Sequence, residues 1–135
     1  MDSNKGFTLV ESLVVMIIIS ILVAVVVPIM QGHIDSARWS EGRAIMGVIA
    51  RALRTHIAET GNNFTPVPTL TELGLEPGNL NGTYFSGGES GTNDFSWVIN
   101  SNDPIDYLVT ATAPAGIHSP SQVTLNQAGI FMETP

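Results

Sequence analysis

Between residues 13 and 30 the chain is apolar at every position except Ser20. Small soluble cores do not need a run this long and this uniform. At about 1.5 Å rise per residue a helix over 7–30 would extend roughly 36 Å, enough to cross a hydrocarbon layer of about 30 Å with some tilt. A transmembrane helix is the default reading, and a buried helix of a soluble domain is the alternative. Two residues inside the segment are unusual for a plain anchor. Glu11 puts a carboxylate at membrane depth, which costs about 2.5 to 3.5 kcal/mol at a helix centre and less near the interface, so it either snorkels or finds a partner. Pro28 lacks a backbone donor and crowds the carbonyl of Ala24, so a kink is expected there. Residues 1–6 are too short for a secretory n-region with its own apolar core, and no small-residue cleavage pattern follows the apolar run.

The stretch Gly6-Phe7-Thr8-Leu9-Val10-Glu11 resembles the G-F-T-L-x-E motif of type IV prepilins and pseudopilins. Lys5 before the glycine, the apolar run and the proline at 28 extend the likeness. The resemblance implies that a prepilin peptidase in the membrane cuts between Gly6 and Phe7, removing 1–6 as a leader, and methylates the new amino terminus on Phe7. It further implies that Glu11 pairs with the Phe7 amine of a neighbouring subunit. That would supply the partner the isolated carboxylate lacks, because an amine and a carboxylate that neutralise each other in low dielectric cost far less than either alone. One departure is Ser20, which stands where many pilins have a glycine that melts on assembly.

Past the run, about one hundred residues remain, enough for one small domain. Cysteine is absent, which excludes disulfides and thiolate metal sites, including the carboxyl-terminal disulfide loop of many pilins. Net charge is −7, and its distribution says more than its total. The basic residues are Lys5, Arg38, Arg43, Arg51 and Arg54, so every charged residue from 55 onward is acidic. Such a surface repels phosphate backbones, and no nucleic acid is expected as a partner. Lys5 favours a cytoplasmic amino terminus, but four arginines lie soon after the run and weaken that signal; the family resemblance places the carboxyl-terminal part outside the cytoplasm.

After Pro28 a helical period takes over. Ile45, Ile49, Leu53 and Ile57 recur every four residues, flanked by Val48 and Ala52, with Arg43, Arg51 and Arg54 elsewhere on the wheel. Asp35, Arg38 and Glu41 are spaced as a surface ion ladder. Gly42 and Gly47 weaken propensity, and Gly61-Asn62-Asn63 reads as a stop. A helical turn is expected over 70–73 within a Pro- and Gly-punctuated connection. Strands are expected over 83–86, 95–100, 107–113, 122–125 and 130–132, with a tight turn at 126–129. Tyr107, Val109 and Ala111 alternate with Leu108, Thr110 and Thr112, as on a sheet with one packed face. The expected fold is therefore α+β: a long bent helix whose second half packs on a small antiparallel sheet, the pilin fold. Its parts are a leader (1–6), a transmembrane or filament-core helix (7–30) and a head (31–135) composed of an amphipathic helix half (31–60), a connecting loop (61–81) and a sheet (82–135).

Asp94, Asp103 and Asp106, with Glu89, Asn93 and Asn102 nearby in sequence, could offer calcium its hard oxygen ligands, although turns are Asp- and Asn-rich for backbone reasons. No other metal or cofactor is expected. His33, His56 and His118 show no metal spacing and read as surface or helix-face residues. Asn63-Phe64-Thr65 and Asn81-Gly82-Thr83 match the short glycosylation pattern. No catalytic constellation can be read, so an enzyme is not expected. The reading is a structural subunit of a type IV pilus-like filament: a single-pass precursor in the inner membrane, processed by prepilin peptidase, then assembled by pilus or secretion machinery into a homo-oligomeric helical filament that is extracellular or periplasmic. The alternatives are a type II secretion pseudopilin, a minor pilin for adhesion or DNA uptake, and an unprocessed anchor carrying a binding domain. A pilin is favoured over a pseudopilin because no pseudopilin-like pattern follows the long helix.

Overall fold

A computed structural model describes residues 8–76, 78–87 and 93–135. Helix α1, Leu9–Thr60, is followed by a single 3-10 turn, Gly61–Asn63, and then by four strands: β1 (Phe95–Asn102), β2 (Ile105–Thr112), β3 (Gln122–Asn126) and β4 (Phe131–Thr134). The strands form one antiparallel meander in the order β1-β2-β3-β4. The architecture is the α+β, pilin-like arrangement expected. The chain divides into two units, Met1–Ile34 and Asp35–Pro135.

In the second unit the helix and sheet meet through one apolar layer. The register puts Phe95, Ala111 and Val123 in one row across the sheet, and Val109 and Leu125 in the next; all five are buried, together with Ile99 and Tyr107. The alternation read over 107–112 holds, because its odd members point at the helix. On the helix the buried line is Trp39, Gly42, Met46, Ile49, Leu53 and Ile57. A strict four-residue ladder drifts about 40° per step around an α-helix, so the stripe beginning at Ile45 starts off-centre. Ile45 is half-buried, and the true seam mixes steps of three and four.

Gly42 has a packing role rather than a mere propensity cost. A Cβ there would sit 2.8 Å from the Phe85 ring, which stacks obliquely on Trp39 (centroids 5.0 Å) and Phe95 (5.7 Å). Residues 83–86 do not form the expected strand. The backbone amides of Tyr84 and Phe85 donate to the Glu41 carboxylate (2.8 and 3.0 Å), and that of Ser86 donates to Asp94 (2.7 Å). The Gly87 amide goes to the Asn81 side chain (3.1 Å). With four successive donors taken by side chains, only an isolated bridge, Gly87 to Asn93, is left for sheet pairing.

The ion ladder is also corrected. Asp35 is buried and accepts the His118 amide (3.0 Å), with Arg38 at 3.8 Å; Arg38 donates to the Gly116 carbonyl (2.7 Å) and Trp39 to that of Pro120 (3.1 Å). These bonds clasp the β2–β3 connection to the helix. Glu41 serves the 84–85 backbone instead of Arg38. The turn at 126–129 forms as expected, with the Gly129 amide donating to the Asn126 carbonyl (3.0 Å) and Gly129 in the left-handed region. The turn over 70–73 is also present, held by a capping box in which Thr69 and Glu72 exchange backbone-to-side-chain bonds. Hydrogen bonds from the Thr69 amide and hydroxyl keep the Glu72 carboxyl below the ordinary glutamate range.

Burial pushes the Glu41 carboxyl up, but the amides of Phe85, Tyr84 and Thr83 outweigh that and hold it below the ordinary range. Because the folded-state value is the lower one, this stabilisation is complete above the unfolded value and is lost as pH falls through the folded one. Glu41→Gln is therefore expected to lower the melting temperature of the detergent-solubilised protein at pH 7 and to narrow the gap from wild type as pH is taken below about 4.3. A gap independent of pH would refute the clamp.

Candidate functional site

The helix begins where local chemistry says it should. Thr8 immediately precedes Leu9, and its hydroxyl accepts the Glu11 amide at 3.2 Å while its carbonyl accepts that of Ser12 at 3.2 Å. Thr8 is thus the N-cap, and Thr8-x-x-Glu11 has capping-box spacing. Glu11 lies in the first turn of the helix, where the positive end of the helix dipole favours a carboxylate. Those residues entered above only as part of the motif, although Thr-x-x-Glu before an apolar run is itself a capping signal. Gly6 and Phe7, the expected cleavage and methylation positions, lie outside the described residues.

Beyond Glu11 the helix presents apolar surface on every side. Each large apolar side chain from Leu9 to Met30 is between 46% and 81% exposed, and an 18-residue window of this helix reaches a mean hydropathy of 3.2. By length and composition it can cross a membrane. Between residues 13 and 30 the one polar side chain is satisfied locally, because the Ser20 hydroxyl donates to the Met16 carbonyl at 2.7 Å, the back-bond that lets serine sit in an apolar medium. The helix continues through Pro28. Taken alone the segment leaves a cylinder of apolar surface, marked near its start by one carboxylate, that water solvates poorly.

Residues 1–27 match the family model described as the prokaryotic N-terminal methylation motif. The chain carries the type IV pilin and pseudopilin signature. No curated protein and no solved structure matches it. The match covers residues 1–6, the Gly6–Phe7 junction, Glu11 and most of the apolar run, and stops before Pro28. A signature of this kind marks a pilin-like or pseudopilin precursor with a membrane-compatible amino-terminal helix.

The candidate calcium ligands are not brought together. Asp94 directly precedes β1 and uses its carboxylate on Ser86. Asp103 lies in the turn after β1, and Asp106, in β2, accepts from the Asn100 side chain (3.1 Å). An eight-residue strand separates Asp94 from the other two, roughly 25 Å at about 3.3 Å per residue. Glu89 lies outside the described residues. Among the described residues no group of three or more His, Asp or Glu is arranged to hold a metal. His33 and His118 are exposed, whereas His56 is buried and places Nδ1 3.2 Å from the Glu72 carbonyl, so it joins helix to the 69–74 turn.

Proposed function

We propose that this chain is a structural subunit of a type IV pilus-like filament, cut after Gly6 and methylated on Phe7 by prepilin peptidase, then drawn from the inner membrane into a fibre whose core is packed from residues 7–30. The observation that carries the reading is the pairing of the methylation motif with a helix that exposes apolar side chains on every face and holds a carboxylate in its first turn. Lipid satisfies such a surface before assembly, and neighbouring copies satisfy it afterwards. Glu11 then neutralises the Phe7 amine of the next subunit and sets axial register. The head acts as the outer wall of the fibre, binds no nucleic acid and needs no cofactor or catalytic group. A secretion pseudopilus would use the same amino-terminal segment, and the reading extends to it.

Intact mass and amino-terminal fragment spectra of protein purified from its own cells test the proposal. The expected result is loss of residues 1–6 and one added methyl group on Phe7. A mature chain that retains Met1, or begins at Phe7 without the methyl group, refutes it.

A further inference from the structure

The start of β1 holds an open recess of about 160 Å³ lined by Val67, Asn93, Phe95, Ser96 and Trp97. That is below the roughly 300 to 1,000 Å³ of pockets that enclose a drug-sized ligand, and it leaves room for one ring. Strand addition is blocked there. β1 is an edge strand, and the Ile99 amide points away from β2 to the Pro66 carbonyl (2.7 Å). By the two-residue alternation of a strand, the Phe95 and Trp97 amides lie on the same outer edge. The Phe95 amide donates to the Asn93 side chain (3.1 Å). Among the described residues this leaves only the Trp97 amide open on the stretch, between two that are taken, too little edge for an extended peptide to pair with. The recess therefore suits a compact ligand.

Its walls specify what kind. Trp97 is half-buried, and its indole donates to the Pro68 carbonyl (2.9 Å), which fixes the ring. Val67 is 60% exposed beside it. The polar groups are neutral: the Ser96 hydroxyl, and the Asn93 carboxamide, whose oxygen is already used on Phe95 while its NH2 remains a donor. An indole and an aliphatic wall next to a hydroxyl and an amide match a pyranose, with one C–H face for the ring and hydroxyls for the polar groups.

Ser96 also begins a row across the outer face of the sheet. Ser96, Thr110 and Thr124 stand directly opposite one another on β1, β2 and β3, about 4.8 Å apart, and Thr112, Gln122 and Thr134 form a second row beside them. Among the described residues the one charge at the outward strand positions is Asp106, which accepts from Asn100. In a chain of net charge −7 with no basic residue after Arg54, this face is neutral, and a sulfated or carboxylated sugar would find no cation on it. We infer that the recess at Trp97 takes a neutral hexopyranose at the end of a glycan chain, with the following sugars along Ser96, Thr110 and Thr124. The inference concerns the head alone and stands apart from the filament reading.

The test titrates full-length protein, in a zwitterionic detergent without a sugar headgroup, with the methyl glycosides of glucose, galactose, mannose and N-acetylglucosamine. A linear trisaccharide of whichever sugar binds follows, and tryptophan emission is read throughout. The chain has two tryptophans, and Trp39 is 0% exposed, so a saturable change reports Trp97. Such a change is expected with at least one glycoside, and the trisaccharide should bind about tenfold tighter. Val67→Arg, at an exposed wall position, should leave the melting temperature unchanged and weaken both ligands by about tenfold or more; Thr110→Arg should weaken only the trisaccharide. No saturable change with any of the four glycosides, a change that persists in Trp97→Phe, or wild-type binding by Val67→Arg would each overturn the inference. A trisaccharide that binds no tighter than its methyl glycoside would overturn the role of the Ser96–Thr110–Thr124 row.

Discussion

Glu11→Ala is expected to yield abundant protein in the membrane fraction and almost none in sheared fibres. The substitution removes a charge from the first turn of α1, so insertion becomes easier, and it leaves Gly6 and Phe7 untouched, so cleavage should proceed. On the proposed filament reading, what is lost is the partner of the Phe7 amine in the apolar fibre core. Breaking a buried pair by removing one member costs about 3 to 5 kcal/mol, and the penalty falls on every subunit added. The Thr8 hydroxyl still accepts the backbone amide of residue 11, so the helix start survives and the defect is one of assembly. Glu11→Gln separates the two roles further, since it keeps a polar group at the site without a charge. Fractionating cells and quantifying both pools decides the matter: pure Glu11→Ala fibres at wild-type abundance would mean that apolar packing alone sets register.

Phe85→Ala is expected to be the most damaging single truncation in the head. The ring is 1% exposed and bridges Trp39 and Phe95 while lying on Gly42. Removing it should cost about 3 to 5 kcal/mol, the range for a large aromatic truncated in a core that relaxes only partly. At about 4 to 8 °C per kcal/mol for a domain of this size, melting should fall by well over 10 °C. Gly42→Val attacks the same contact from the helix side by overpacking, at about 1 to 3 kcal/mol. Because both changes act on one contact, Gly42→Ala combined with Phe85→Leu should cost less than the sum of the two alone. A thermal melt in detergent in which Phe85→Ala stays within 1 kcal/mol of wild type, on the scale of a minor surface change, would refute this account of the core.

The amphipathic half of α1 and all four strands were legible because each depends on a local pattern: apolar residues at helical spacing, or a short strand-forming run bounded by turn residues. The amino-terminal segment was legible for a still simpler reason. Hydropathy, a single carboxylate, a preceding glycine and a proline at 28 are properties of the chain before it folds, and lipid or a filament core imposes no further specificity on them. The Thr8 cap on the Glu11 amide was not read, although it spans only three residues and its signal is local.

Other features could be decided only by tertiary structure. Residues 83–86 have strand-forming composition, yet Glu41, more than forty positions away, and Asp94 take their amides; no local window contains that competition. Asp35 looked like one rung of an exposed ladder, and burial against the β2–β3 connection made it an acceptor for His118. The three candidate calcium aspartates were close in sequence, and the extension of β1 set Asp94 apart from the other two. The apolar helix over 9–30 follows from hydropathy alone, because its large apolar side chains are exposed along its whole length and pack on no distant part of the chain's core. The head's loops and its glycine-to-ring contact follow from which distant groups reach each other first, because there backbone donors and carboxylates have more than one partner to choose from.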